Sequence, residues 1–311
     1  MTSEALGSRR DALSASDTTG SAGGSAAAGG TGGVVTQRRR KGPPVVSQLL
    51  LTLALLLFLA PLAWMVLSSL KSAGEIFTTP PKLFGESLLF SNYSDALDFL
   101  PFGRFMINTA FVAVTGTVIT LVTSALSAYA FARLRFKGRD SLFLVYLGTL
   151  MVPQEVVVVP MFLIMNQLGW INTFQALILP WAFTAFGTFL LRQFFLTIPK
   201  ELEESARIDG AGHWRILTQI IVPIAAPAFA VLAVFTFITY WNSFLWPLIV
   251  TNDVSTTTVP LGLNLFLGQN GQAWNLLMAA ATISMAPTAL LVLLLQRYLV
   301  KGIALSGLGG R

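Results

Sequence analysis

Residues 45–70 read VVSQLLLTLALLLFLAPLAWMVLSSL, an unbroken run without one charged side chain. A helix rises about 1.5 Å per residue, so roughly 20 apolar residues cross the ~30 Å hydrocarbon core of a bilayer. Arg38, Arg39, Arg40 and Lys41 stand just before the run, as basic residues also do in secretory signals. A signal's apolar stretch is only about 7–15 residues long, and this one continues well past that. It reads as a first transmembrane helix, with an uncleaved signal-anchor as a variant of the same reading.

Five further stretches have the same character: 105–131, 142–168, 174–195, 220–250 and 274–299. The fifth of the six is long enough to tilt or to re-enter. Between them the charges are distributed asymmetrically. If the N-terminus lies inside, all of the 20 lysines and arginines except Lys71, Lys82 and Arg104 fall in cytoplasmic segments. Basic residues are retained on the cytoplasmic side, so both termini are expected there. The fold class expected is an all-α membrane protein with six transmembrane helices and a short cytoplasmic helix between the fourth and fifth spans.

Composition agrees with this. The 311 residues are 54% hydrophobic and 11% charged, against roughly a quarter charged in a soluble domain. There is no cysteine and a single histidine, His213, so thiolate, iron–sulfur and histidine-built metal sites are excluded, and no metal or cofactor is expected. The formal net charge of +6 sits in short blocks beside apolar runs, which is the pattern of topology signals rather than of a nucleic-acid-binding face. Residues 1–41 contain no aromatic residue and are rich in Gly, Ala, Ser and Thr around 18–33. They bury too little apolar surface to offset ordering, and a disordered cytoplasmic tail is expected, followed by a transmembrane domain over 42–311. Eight prolines inside the spans, from Pro61 to Pro287, each remove a backbone hydrogen bond and favour a bundle of bent helices.

One cytoplasmic loop is richer than a connector requires. It runs from Pro199 through Glu201, Glu203, Glu204, Ser205, Ala206, Asp209, Gly210 and Gly212 to Ile220-Ile221-Val222-Pro223. Pro199 suits a first turn, and the glutamates place negative charge at the positive end of the helix dipole. Gly210 and Gly212 permit a sharp exit. Leu202 and Ala206, four apart, share a small apolar face suited to docking. A solvated helical connector is the bland alternative.

The stretch resembles the EAA motif of ABC importer permeases, the binding-protein-dependent transport system inner membrane component family. The family pattern is Glu-Ala-Ala, three residues, Gly, nine residues, then Ile-x-Leu-Pro. Here Glu204-Ser205-Ala206, Gly210 and Ile220-Ile221-Val222-Pro223 match both spacings, with Ser205 and Val222 as conservative departures. Asn108-Thr109 and the segments 128–136, 241–248 and 296–302 are similar to the carbohydrate branch, and to the six-span subunit of maltose- and glycerol-phosphate-type importers in particular.

The resemblance implies a multi-pass protein of the bacterial plasma (inner) membrane. It implies a heterodimer with a second permease, two cytoplasmic ATPase subunits and an extracytoplasmic solute-binding protein, with a sugar or sugar-like solute as cargo. Glu204, Ser205, Ala206, Asp209, Gly210 and Pro223 would then form the ATPase-coupling element. The chain itself has no G-x-x-x-x-G-K-[ST] phosphate loop, so ATP hydrolysis is expected in the partner subunits and not here. For the translocation path the candidates are Glu155, the one acidic residue within a span, and Asn242 and Trp241. Trp246 is a further candidate, with anchoring at the bilayer interface as the competing role for both tryptophans. A non-sugar solute, or an ion-coupled secondary transporter, remain the alternative readings. The latter predicts several ionisable groups within the spans, where only Glu155 is found.

Overall fold

The computed structural model describes residues 45–268 and 273–308, with side chains through Gln296. Every regular element among the described residues is helical. In chain order these are α1 (Val45–Ser68), α2 (Ser91–Phe99), α3 (Phe102–Arg133), α4 (Arg139–Gly148), α5 (Gln154–Gln167), α6 (Phe174–Ile178) and α7 (Ala185–Thr197). They continue with α8 (Glu201–Ile208), α9 (His213–Ile216), α10 (Val222–Ile224), α11 (Ala226–Trp241), α12 (Leu245–Val250), α13 (Val259–Leu265) and α14 (Trp274–Leu308). The chain divides into two units, 1–52 and 53–311. Only the first turns of α1 are described in the first unit, and they are apolar and mostly exposed. The tail expected over 1–41 lies outside the described residues.

Three helices are each long and apolar enough to cross a membrane: Val45–Ser68, Phe102–Arg133 and Trp274–Gln296. Three further stretches qualify as bent pairs: Arg139–Met151 with Gln154–Gln167 at 99°, Phe174–Trp181 with Ala185–Thr197 at 46°, and His213–Ile224 with Ala226–Trp241 at 80°. The apolar stretches around 142–168, 174–195 and 220–250 are therefore each broken within their length. Proline chemistry accounts for two of the breaks. Val152, which precedes Pro153, is extended at φ −83°, ψ 117°, because a residue before proline is driven out of the α region. Ala225 leaves helical geometry two residues before Pro227, whose missing N–H would leave a continuous helix one bond short. Pro61, Pro160 and Pro287, in contrast, sit inside continuous helices.

Packing is organised around α3, which has no proline and lies against both α7 and α11. At its N-terminal end Phe102 and Phe105 pack with Ala96, Val259, Phe266, Ala279 and Ala280. Midway, Val112 and Ala113 meet α5, α6, α11 and α12 in a second core containing Trp241 and Trp246. Near its C-terminus Ala125, Ala128, Tyr129 and Ala132 pack with Leu191, Phe195, Ile216, Leu217 and Ile221. Small residues on α3 bring the neighbouring backbones close. A Cβ added at Gly116 would stand 2.5 Å from the Tyr240 ring, whose hydroxyl donates to the Ile178 carbonyl at 2.9 Å.

Polar side chains fix the connections. Asn108 donates from Nδ2 to the carbonyls of Ser255 and Thr257, both at 2.9 Å, and Thr109 Oγ1 accepts from the Val259 N–H at 2.7 Å. The segment joining α1 and α2 is held in a similar way. Lys71 is buried, with Nζ donating to the Lys82 carbonyl at 2.6 Å and lying 4.4 Å from the Trp64 ring centre. Glu75 accepts from the Ser72 N–H (3.0 Å), the Ser72 hydroxyl (2.8 Å) and the Glu86 N–H (2.8 Å). These donors, the Glu86 amide foremost, hold the Glu75 carboxyl down at about 2.

Two outcomes are expected. Gly116→Ala should overpack the α3–α11 contact, destabilise the fold by about 1–3 kcal/mol and lower its melting temperature in detergent. A depressed carboxylate contributes stability that is complete above its unfolded pKa and disappears as pH falls through its folded one. The protection that Glu75 adds to hydrogen exchange over residues 72–86 should therefore be complete from neutral pH down to about 4.5 and decline from there towards about 2. In Glu75→Gln that protection should be weaker at neutral pH, and the difference from wild type should close as the pH falls towards about 2.

Candidate functional site

The richest loop in the sequence folds as a short helix with a defined stop. α8 carries Glu201, Glu203 and Glu204 in its first turn, where the helix dipole favours them. It ends at Asp209, and Gly210 follows in the left-handed region at φ +79°. Two backbone bonds close the end: Gly210 N–H to the Arg207 carbonyl at 3.0 Å and Ala211 N–H to the Ala206 carbonyl at 2.8 Å. That pair of nested bonds satisfies carbonyls that the helix itself leaves open, and it needs a residue that tolerates positive φ. Gly212 then precedes α9, and the chain passes through one π-helical turn, Leu217–Ile221, before Pro223 in α10. π turns of this kind often mark functional sites.

α8 has two different faces. Glu203 is buried, and its Oε1 lies 2.7 Å from Arg133 Nε at the last residue of α3. Arg133 also donates from Nη2 to the carbonyls of Phe195 (2.6 Å) and Ile198 (2.7 Å) at the end of α7. Nearby, the Tyr129 hydroxyl and His213 Nδ1 are 3.0 Å apart. Ala206 is half-buried against the same core. On the other face Leu202, Glu204, Ser205, Ile208 and Asp209 are exposed, and Trp214 in α9 is exposed as well. Ile208, at 88% exposure, is among the most accessible large apolar residues described. The apolar face anticipated for Leu202 and Ala206 is thus split, with Ala206 turned inward and Leu202 outward. Ser205 donates its hydroxyl to the Leu202 carbonyl at 3.1 Å. A cavity of about 680 Å³ lies between α8 and the turn 134–139, with Arg135, Arg139, Lys200 and Arg207 in its lining.

The model of the binding-protein-dependent transport system inner membrane component family matches residues 120–305, which include all of α7 and α8 and the C-terminal part of α3 with Tyr129 and Arg133. The chain belongs to that family. This inner membrane component is 37% identical over 260 residues to the sn-glycerol-3-phosphate transport system permease protein UgpE of Rhizobium meliloti (strain 1021), covering 81% of this chain and 92% of that one. The protein of the same name from Yersinia pestis bv. Antiqua (strain Antiqua) is 36% identical over 259 residues with the same coverage. A chain in the crystal structure of a bacterial ABC transporter involved in the import of the acidic polysaccharide alginate superposes with a TM-score of 0.73 at 26% identity, over 82% of this chain and 95% of that one.

The other residues singled out by sequence are not gathered into one site. Glu155 is in the first turn of α5, immediately after the 99° break, and is exposed. Trp241 is buried, stacks on Phe237 and donates from Nε1 to the Ser284 carbonyl at 3.1 Å. Asn242 closes α11 and is exposed. Trp241 and Asn242 share a cavity of about 360 Å³ with Met65, Leu263, Ser284 and Thr288. Trp246 is buried as well, with Nε1 donating to the Ala176 carbonyl at 2.8 Å.

In the sequence Arg133 reads as a topology charge and Glu203 as a dipole charge. Their pairing spans 70 positions, and no local pattern announces it. His213, the single histidine, lies 3.0 Å from the Tyr129 hydroxyl and so joins the loop to α3.

Gly210→Ala should strain the α8 stop by about 1 kcal/mol, because a Cβ disfavours positive φ. The expected readout is a roughly five-fold faster hydrogen exchange at the Ala211 amide, with the remainder of the protein unchanged.

Proposed function

We propose that this chain is the six-span permease subunit of an ATP-driven importer for a sugar or sugar-like solute, and that α8 is its coupling helix. The observation that carries the reading is α8 itself, which is anchored on one face and stopped by Gly210 while Leu202, Glu204 and Ile208 stay exposed. An exposed apolar cluster rimmed by charge is the expected form of a docking surface. Glu204, Ser205, Ala206, Asp209, Gly210 and Pro223 are assigned to coupling: Glu204 and Asp209 in contact with an ATPase subunit, Ser205 and Ala206 for close approach, and Gly210 and Pro223 for the turns.

In this reading α1, α3 and α14 and the three bent pairs each span the membrane within a transmembrane domain of 42–311. Both termini, and with them the 1–41 tail, lie in the cytoplasm. A second permease completes the path as a heterodimer, two cytoplasmic subunits hydrolyse ATP, and an extracytoplasmic binding protein delivers the solute. ATP shifts the equilibrium between inward- and outward-facing states only through differential contacts, and α8 is placed to make them. Glu155, Asn242 and Trp241 are the candidates for the path. Relatives named for sn-glycerol-3-phosphate and for alginate support hydroxylated cargo.

Co-expression with the second permease and ATPase subunits tests the proposal. The ATPase should co-purify with the wild-type chain. Gly210→Pro, which cannot adopt φ +79° and lacks the N–H bonded to Arg207, should insert normally yet lose transport-linked ATPase stimulation. Full stimulation in that variant would rule out the coupling role.

A further inference from the structure

Along the chain α8 is joined to the spans on either side of it, and both of those are jointed. The stretch before it bends by 46° between Phe174–Trp181 and Ala185–Thr197. The stretch after it bends by 80° and contains the π turn at Leu217–Ile221. A push on α8 would be absorbed at such joints. α3 differs: it is one uninterrupted helix of 32 residues, about 48 Å long at 1.5 Å per residue.

α8 is attached to α3 through side chains. The Arg133–Glu203 contact is 2.7 Å, with side chains only 3% and 6% exposed. Glu203 Oε2 is also 3.9 Å from Arg207 Nη2. Arg133 Nη2 donates to the Phe195 and Ile198 carbonyls, so one guanidinium joins α3, the end of α7 and α8. Tyr129, one helical turn back, reaches His213 on the far side of the Gly210 turn. Arg192 of α7 adds a bond from Nε to the Phe131 carbonyl at 3.3 Å. A buried ion pair is an expensive way to hold two helices together when apolar contacts would serve, and its best-attested use is to fix one register. At its opposite end α3 is tied with equal definition, through Asn108 and Thr109, to the segment 255–259.

We propose that Arg133 is a positioning residue that locks α8 to α3, so that displacement of α8 by the ATPase is delivered along α3 to the far end of the protein. This rests on the reading of α8 as the coupling helix. The spans adjoining α8 in sequence flex, and α3 acts as the rod.

The chain has no cysteine, so spin labels can be placed at Glu201→Cys on α8 and Ile107→Cys on α3, both exposed, in the assembled transporter. The distance between them is measured without nucleotide and with ATP and vanadate. With Arg133 and Glu203 intact the distribution should be the same in both states. In the Arg133→Met/Glu203→Met double variant, which leaves neither charge stranded, the ATPase should still co-purify and the distribution should shift between the two states. Arg133→Lys, which keeps the charge but not the forked geometry, should shift less than the double variant.

A nucleotide-dependent shift with the pair intact overturns the proposal, as does a double variant whose distance is the same in both states. A broadening that is equal with and without nucleotide assigns the pair to fold stability alone and overturns it too. Failure of the ATPase to co-purify with the wild-type chain would instead remove the coupling-helix reading itself, and this inference with it.

Discussion

A single guanidinium, that of Arg133, closes the point where α3, α7 and α8 converge. Helix ends leave carbonyls without partners, and in or near a bilayer no bulk water replaces them. Arg133 satisfies two such carbonyls at the end of α7 and neutralises Glu203 of α8 with the same planar group. Arginine suits the task because its donors form a rigid fork and its charge persists when buried. Removing Glu203 would leave Arg133 buried without its carboxylate, and removing Arg133 would leave Glu203 only the 3.9 Å approach of Arg207, so the three elements share one constraint. The orientation of α8, and therefore which of its faces is free, follows from it.

The rest of the architecture is governed by where backbone hydrogen bonds are given up. Two of the long apolar stretches bend where a proline removes a donor, at Val152-Pro153 and around Ala225, whereas Pro61, Pro160 and Pro287 are carried inside continuous helices. α3 contains no proline, and Gly116 on it leaves room for the Tyr240 ring of α11. The unbroken helix thus becomes the core element, with the broken ones packed around it. Asn108 and Thr109 show the same economy at the other end, where two short polar side chains satisfy three backbone groups of the segment before α13.

Much of this was legible in the residues. The apolar runs located the membrane helices, since a span of fixed thickness demands a minimum length. Gly210 marked the stop of α8, because only a residue without a Cβ takes φ +79° easily. The motif spacing from Glu204 to Pro223 carried the family resemblance, and the family match covers it. The two tryptophans were less legible. Their indole N–H groups donate to carbonyls far away in sequence, Trp241 to Ser284 and Trp246 to Ala176, because a buried N–H must find an acceptor wherever the packing provides one.

Taken alone, the sequence determined an all-helical, membrane-spanning chain with a short helix in the loop before Pro223. Each of those features rests on local physics: run length, dipole charge and turn stereochemistry. Tertiary structure alone decided that Glu203 faces inward and Glu204 outward, that Ala206 is packed while Leu202 is free, and that α8 is bound to α3. Adjacent carboxylates on a helix are chemically alike, and only a cation brought from 70 positions away distinguishes them.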